Sequence, residues 1–245
     1  FKALATALSS CVGNGNIVGI AAAIAIGGPG AIFWMWVASL LGMATKFSEI
    51  CLAMHYRIQD EAGNFRGGVM YILSRGMKNK TLGKILGGAF AVFTVMVSFI
   101  SCGALQANTI ANSLNGETGI GIPLWVVAIV VLVLDGLVVC GGLKKIANVT
   151  TVLTPVMALI YIGFSLIIII LHANMIPTAI YYVVKSAFTG DAAVGGVAGA
   201  TMAFAIQKGV SRGVFSNEAG IGSSAIVHAT AIVDKPTRQS LYGII

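Results

Sequence analysis

Long apolar stretches alternate with short polar segments along the whole chain. A helix that crosses a bilayer takes roughly 20 mainly apolar residues. Five stretches meet that length, at 4–27, 29–54, 85–111, 123–142 and 147–171. A sixth, 197–230, is long enough but is interrupted by glycine and polar residues. No alternation typical of an outer-membrane barrel is present, so the pattern predicts an all-α membrane protein with six spans.

The composition supports a membrane protein and excludes two other classes. The 245 residues are 57% hydrophobic and 9% charged, whereas a soluble domain carries about 25% charged residues. A mean hydropathy of +0.93 leaves too little polar surface to cover a soluble fold. Disordered chains have the opposite composition, with few apolar residues and much charge. The lipid bilayer is therefore the expected surrounding.

The net charge of +7 reflects topology and not nucleic-acid binding. No continuous basic stripe that could follow phosphates is present, and the basic residues fall between the apolar stretches. They cluster after stretches two, four and six, as Arg57, Arg66, Arg75, Lys78, Lys80, Lys84, Lys144, Lys145, Lys235 and Arg238. Because loops rich in Lys and Arg stay in the cytoplasm, residue 1 is predicted to be cytoplasmic in a multi-pass plasma-membrane protein.

Cysteines and histidines offer no metal or redox chemistry. The four cysteines lie inside apolar stretches without metal-ligand spacing, as Cys11, Cys51, Cys102 and Cys140. The three histidines lie near the ends of stretches, where we expect them at the membrane interface. We expect no cofactor, no enzymatic constellation and no obligate protein partner. The start at Phe1 and the apolar end at 241–245 suggest a piece of a longer protein.

Two of the predicted spans are interrupted in the middle. Gly13-Asn14-Gly15-Asn16 interrupts the first, and Gln207-Lys208-Gly209 with Arg212-Gly213 interrupts the sixth. A break strands backbone groups that lipid cannot satisfy, so it persists only where protein, water or a ligand pairs them. Paired breaks mark the binding site of secondary transporters. The alternative is that the glycines only allow close helix packing, as the GxxxG spacing of Gly15 and Gly19 would.

Three sequence blocks resemble the alanine or glycine:cation symporter family. They are NGNIVGIA at 14–21 with GGPGAIFWMW at 27–36, FSNEAGIGS at 215–223, and Gln106-Ala107-Asn108. The resemblance covers essentially the whole chain. It implies a LeuT-type fold of two inverted five-helix repeats that couples uptake of alanine or glycine to sodium. This chain would then be partial, with the first repeat and the first helix of the second.

The resemblance also implies roles for individual residues. The implied substrate-binding set is Gly13, Asn14, Gly15, Gln106, Gln207 and Gly209. Sodium would be bound through Ser9, Val12 and Asn16. A gate or helix-orienting network would consist of Arg212, Asn217 and Glu218. The family usually has threonine at position 14, and the longer asparagine would narrow the pocket.

Three further polar residues lie within predicted spans. Asp135 is at the centre of span four, where a carboxylate is a functional candidate by default, and we favour a neutral or hydrogen-bonded side chain over a proton-coupling role. Lys46 and Glu49 have the i, i+3 spacing of a structural pair.

Several rival functions follow from the same sequence. A channel would need a pore-lining repeat or a filter ring, and an enzyme would need a convergent catalytic set. Neither pattern is visible in the sequence. Two further alternatives are a proton-coupled amino-acid transporter and a non-transporting fragment of the family.

Overall fold

The structure, a computed structural model, describes residues 2–98, 103–115, 121–189 and 202–244. Its helices, numbered along the chain, are α1 Lys2–Cys11, α2 Asn14–Gly27, α3 Gly30–His55, α4 Val69–Gly76, α5 Lys80–Val97, α6 Gly103–Asn115, α7 Leu124–Val139, α8 Gly142–Leu171, α9 Ile176–Thr189, α10 Met202–Asn217, α11 Ser223–Ala229 and α12 Pro236–Ile244. A 3₁₀ turn, Ala173–Met175, precedes α9. Strands β1 Ile58–Gln59 and β2 Phe65–Arg66 pair antiparallel, with Ile58 opposite Arg66.

The predicted helical membrane class is confirmed. Four helical segments in the described residues are long and apolar enough to cross a membrane, namely Lys2–Gly27, Gly30–His55, Lys80–Val97 and Lys145–Leu171. Leu124–Val139 is apolar but shorter. The sixth predicted stretch does not form one long helix in the described residues, because it is divided between α10 and α11. The β1–β2 hairpin is a small addition that the hydropathy pattern did not predict.

The third predicted span, 85–111, has different bounds in the structure. It begins earlier, at Lys80, because Asn79 caps the helix by accepting a 3.1 Å hydrogen bond from the backbone N–H of Leu82. Such a cap satisfies one of the free N–H groups at a helix start. Helix α5 ends at Val97 and α6 runs from Gly103 to Asn115. Residues 99–102 lie outside the described part, as do residues 197–201 of the predicted sixth span.

The first helix breaks at Val12 and Gly13, next to the predicted interruption 13–16, of which residues 14–16 are already helical. Helix α1 ends at Cys11 and α2 begins at Asn14, with Gly13 in an extended conformation as the N-cap. The N–H of Val12 still bonds to the carbonyl of Leu8 at 2.8 Å, which completes the last turn of α1. The interruption is therefore two residues long and leaves two half-helices end to end.

The break predicted at Gln207–Gly209 and Arg212–Gly213 is wrong. Helix α10 runs through these positions without interruption and ends at Asn217. The glycines serve packing instead, because a Cβ on Gly213 would lie only 3.0 Å from the Cβ of Ala38 on α3. Gly209 similarly approaches the backbone of α3 at Ala31. Small residues at this spacing let two helices approach closely.

The actual interruption of this helix lies at residues 218–222. Glu218 has a φ of 54°, and Gly220 and Gly222 have φ values of 87° and 90°. Glu218 is the only non-glycine residue with positive φ in the described ranges. Glycine takes such conformations readily, whereas other residues do so at a cost. Helix α11 then starts at Ser223.

A compact cap covers the end of α3 that carries His55. Its core consists of Ala53, Ala225 and Ala229, with Val69 and Ile72 packed against it. The Nη1 group of Arg57 donates to the carbonyls of Ala229 and Ala231, at 3.1 and 2.6 Å, and so closes the end of α11.

Helix α12 completes this cap. On α12, Gln239 is buried and its Nε2 lies 2.7 Å from Nδ1 of His228. His228 is 1% exposed, so it lies inside the protein, and its position at the membrane interface stays a prediction.

The opposite end of α3 lies against α9. The indole N–H of Trp34 donates to the carbonyl of Ala187 at 3.1 Å. Phe188 stacks edge-on against both Phe33 and Trp34, with ring centroids 5.1 and 5.9 Å apart. A Cβ on Gly30 would lie 2.6 Å from the backbone of α9, so only glycine permits this approach.

Candidate substrate and ion site between two helix breaks

The interruptions of the two helices lie side by side. The hydroxyl of Ser216 on α10 donates to Oδ1 of Asn16 on α2 at 2.7 Å. The Nδ2 group of Asn16 donates in turn to the carbonyl of Cys11, the last residue of α1, also at 2.7 Å. One amide side chain therefore joins both halves of the first helix to the end of α10. It also pairs a carbonyl that would otherwise be free at the end of α1.

The ends of three half-helices give this region its electrostatic character. Helices α1 and α10 end in Cys11 and Asn217, and the Sγ of Cys11 lies 3.9 Å from the carbonyl oxygen of Asn217. Each helix C-terminus carries about half a negative elementary charge, and each N-terminus about half a positive one. The region can thus attract a cation to the carbonyl ends and an anion to the first turn of α2.

Asn14 and Gly15 form the first turn of α2. Free N–H groups at such a turn suit a carboxylate. These are the residues to which the family resemblance assigns backbone contacts with a substrate carboxylate. The side chain of Asn14 lies outside the described part of the structure.

The structure brings Gln106 to the first break. A Cβ on Gly13 would lie 3.0 Å from Nε2 of Gln106, so the amide of α6 faces the extended backbone at Gly13. A larger residue at position 13 would displace this side chain. The sequence prediction placed both residues in the substrate-binding set, and the structure places them in contact distance of each other.

Glu218 joins the two interrupted helices on the other side of the breaks. Its carboxylate accepts hydrogen bonds from Ser10 on α1, at 3.3 Å, and from Ser223 at the start of α11. The side-chain oxygen of Asn217 accepts from the N–H of Ala219 at 2.9 Å and holds the turn that follows α10. These hydrogen bonds connect the helix ends, and a gating or helix-orienting role of Glu218 and Asn217 stays a prediction.

The residues predicted to bind sodium lie around the first break, with Ser9 on α1 and Asn16 on α2. Ser9 uses its hydroxyl within the helix, donating to the carbonyl of Thr6 at 2.7 Å. Val12 lies in the break itself, and Asn16 accepts from Ser216 with one of the two lone pairs of its oxygen. Carbonyl and amide oxygens are ligands that hard cations prefer.

Three predicted residues lie away from the breaks. Gln207 is exposed on α10, and Gly209 packs against α3. The guanidinium of Arg212 lies beside Gly19 of α2, where a Cβ would be 3.5 Å from Nη1. Arg212 and Glu218 form no salt bridge in the described ranges. The prediction that Gln207 and Gly209 lie at a helix break is wrong. The roles of Gln207 and Gly209 in substrate binding and of Arg212 in gating stay predictions.

Sequence reasoning missed the partners of two charged residues on α3. Lys46 is buried, and its Nζ donates to the carbonyl of Asn217 at 2.7 Å and to Sγ of Cys11 at 3.4 Å. Glu49 accepts from the N–H of Gly220 at 3.2 Å. The expectation that Lys46 and Glu49 pair with each other is wrong, since both bond to the second break. Their location inside a membrane span was the available signal.

Asp135, the other charged residue noted within a span, is exposed on α7. Its neutral or hydrogen-bonded state, and the alternative role in proton coupling, stay predictions.

A polar site between two interrupted helices, in a chain rich in membrane-capable helices, is typical of secondary transporters. Over its whole length, residues 1–245, this chain matches the profile of the sodium:alanine symporter family. The chain belongs to that family.

Curated relatives agree with this assignment. The chain is 43% identical over 241 residues to the sodium/alanine symporter AgcS of Methanococcus maripaludis, covering 98% of the chain and 52% of AgcS. It is 47% identical over 242 residues to an uncharacterized transporter of Haemophilus influenzae, covering 98% of the chain and 52% of that protein. It is 38% identical over 241 residues to the probable sodium/glutamine symporter GlnT of Bacillus subtilis, covering 98% of the chain and 48% of GlnT. The chain spans about half the length of these relatives.

Proposed function

We propose that the full-length protein imports a small neutral amino acid, alanine or glycine, by sodium-coupled symport. The observation that carries the proposal is the junction of the two helix breaks, where Ser216, Asn16 and Cys11 are linked by hydrogen bonds. This junction offers carbonyl ends to a cation and free N–H groups to a carboxylate. Membership of the sodium:alanine symporter family supports both ligands.

The fold proposed for this activity is LeuT-type, with two inverted five-helix repeats working by alternating access. This chain would supply the first repeat and the first helix of the second. The interruption between α10 and α11 supports a second broken helix in the corresponding position. Residue 1 is proposed to lie on the cytoplasmic side of the plasma membrane, from the distribution of Lys and Arg.

Within the site, the backbone N–H groups of Asn14 and Gly15 are proposed to bind the substrate carboxylate. Gln106 would hydrogen-bond the amino acid beside Gly13, which supports a pocket for small side chains. Sodium would lie near Ser9, Val12 and Asn16, at the carbonyl end of α1. The resemblance to GlnT makes glutamine the substrate to test against alanine and glycine.

Uptake into proteoliposomes tests the proposal directly. The full-length protein is reconstituted and given radiolabelled alanine with an inward sodium gradient, an inward proton gradient or none, and glycine and glutamine serve as competitors. An Asn14→Leu variant probes the first break. Asn174→Leu, an exposed asparagine outside the spans, is the matched control.

We expect sodium-driven uptake that glycine inhibits. Asn14→Leu keeps the backbone N–H but puts a branched apolar side chain at the first turn of α2, so we expect it to lower uptake strongly, with Asn174→Leu unaffected. Uptake driven equally by a proton gradient would refute sodium coupling. Stronger inhibition by glutamine than by glycine would refute the small-substrate assignment. Folded protein that transports under neither gradient would refute symport of alanine.

A further inference from the structure

Lys46 and Glu49 place two charges within the membrane-capable segment of α3. Lys46 is 8% exposed and Glu49 is partly buried. Charges in such a segment are costly and persist where they have partners. The salt bridges of the described ranges join Arg66 to Asp60 and Arg238 to Asp234, so Lys46 and Glu49 do not neutralise each other by direct pairing.

Each charge instead matches one end of the break between α10 and α11. The ammonium of Lys46 lies 2.7 Å from the carbonyl oxygen of Asn217, the last residue of α10. The carboxylate of Glu49 accepts a 3.2 Å hydrogen bond from the N–H of Gly220, in the turn that leads into α11. A cation at a helix C-terminus and an anion toward an N-terminus are both favourable.

Lys46 also contacts the first break. Its Nζ lies 3.4 Å from Sγ of Cys11, the last residue of α1. One ammonium group therefore lies at the carbonyl ends of both interrupted helices. A hydrogen bond from a charged donor to a carbonyl is stronger than a neutral one, so the bond to Asn217 fixes α10 relative to α3. The contact with the thiol of Cys11 brings the end of α1 to the same ammonium group.

We propose that Lys46 and Glu49 are positioning residues for transport. They stabilise the second helix break, with the ammonium group of Lys46 at the carbonyl of Asn217 and the carboxylate of Glu49 at the N–H of Gly220. Lys46 also connects this break to the first through Cys11. The part of this proposal that concerns transport rests on the proposed function. The structural part concerns the backbone at 217–222 and stands independently of the substrate.

Hydrogen–deuterium exchange of the full-length protein tests the structural part. Glu49→Gln replaces a charge-assisted hydrogen bond at Gly220 with a neutral one, and charge-assisted bonds are about twice as strong. We expect peptides covering 217–222 to exchange about tenfold faster in Glu49→Gln, and Lys46→Met to have a similar effect, whereas peptides of α5 stay unchanged. Glu61→Gln and Lys185→Met, both exposed, are the matched controls.

Sodium-driven uptake tests the consequence in transport. Loss of the Lys46 charge leaves the carbonyl ends more negative, so Lys46→Met should lower the half-saturating sodium concentration by about threefold while it lowers the maximal rate. Lys46→Arg keeps the charge and should hold the half-saturating concentration within about twofold of the unaltered protein. A merely structural role would lower the rate without this shift.

Each outcome decides one part of the proposal. Unchanged exchange at 217–222 in both Lys46→Met and Glu49→Gln would overturn it. Faster exchange with an unchanged sodium dependence would overturn the role in transport. If the unaltered protein shows no sodium-driven uptake, the proposed function fails, and the exchange result alone judges whether the two charges hold the break.

Discussion

Ser216 donates a 2.7 Å hydrogen bond to Asn16 although the two residues are 200 positions apart. The bond joins the end of one interrupted helix to the start of another half-helix. Because Asn16 also bonds to the carbonyl of Cys11, its amide is the point where three helix ends meet. The candidate site is therefore a junction of helix ends and not a pocket on a single helix.

A double-mutant cycle of Asn16→Ala and Ser216→Ala should show direct coupling. We expect a coupling energy of about 0.6 kcal/mol, and at most about 1.7 kcal/mol, the range measured for hydrogen bonds between membrane helices. Thermal unfolding in detergent, followed by fluorescence-detected size exclusion, gives the stabilities. Pairing Asn16→Ala with Ser98→Ala is the control, since Ser98 bonds within its own helix to Thr94. Equal coupling in both cycles would contradict the observed bond.

Gly213→Leu should destabilise the protein by disrupting the approach of α10 to α3. A Cβ at this position would already be 3.0 Å from Ala38, and overpacking typically costs about 1–3 kcal/mol. Gly163→Leu on α8 is the matched control, because no heavy atom lies within 4 Å of its Cβ position. The same unfolding assay should show a lower transition temperature for the first variant alone. Equal effects would mean that α10 does not pack on α3 through this glycine.

Substitutions of Glu218 should follow its backbone conformation as well as its hydrogen bonds. Glu218→Gln keeps an acceptor for Ser10 and Ser223, so we expect it to be the most stable variant. Glu218→Gly loses the hydrogen bonds but accommodates the φ of 54° without strain. Glu218→Val loses the hydrogen bonds and also strains the backbone at this φ. Its free energy of unfolding should be lower than that of Glu218→Gly by about 1–2 kcal/mol. A valine variant as stable as the glycine variant would refute the left-handed conformation.

The β1–β2 hairpin should weaken in acid. The N–H of Asn64 and the guanidinium of Arg66 bond to Asp60, at 2.8 and 3.0 Å, and these bonds lower the pKa of its carboxyl, with Asn64 the larger cause. A lowered folded-state pKa adds stability above the unfolded value, and this stability is lost as the pH falls through the folded value.

Amide exchange at Asn64, corrected for its intrinsic pH dependence, should therefore accelerate on acidification. Asp60→Asn should remove this dependence, and Asp234→Asn should not. A hairpin whose exchange is insensitive to acid in the unaltered protein would contradict the role of Asp60.

The two breaks differ in how well the sequence predicts them. The first lies beside the glycines and asparagines that the sequence shows, and Gly13 takes the extended N-cap conformation there. In the sixth stretch, Gly209 and Gly213 belong to the interface with α3, and the break follows at Gly220 and Gly222, where positive φ requires glycine. Local sequence shows which residues tolerate a break but not which glycines another helix already occupies.

The partners of Lys46 and Glu49 were beyond local sequence for a related reason. Asn217 and Gly220 each lie 171 residues away from the charge they bond. The i, i+3 spacing on α3 suggested a pair, and only the packing of α10 and α11 against α3 shows that both charges are used elsewhere. Family resemblance placed Gln106 and Gly13 in the same substrate-binding set, which periodicity alone does not suggest, and the structure brings the two residues together.

The attachment of α9 to α3 joins these two helices into one unit. The two helices are joined by the Trp34–Ala187 hydrogen bond and by the ring contacts of Phe188. At Gly30, which has no side chain, the backbones of the two helices are in close contact. Since α3 also carries Lys46 and Glu49 to the helix break, we expect a tilt of α3 to move α9 and the junction at the same time. The indole of Trp34 is thus an intrinsic fluorescent reporter of this contact, and its emission should shift whenever α9 separates from α3.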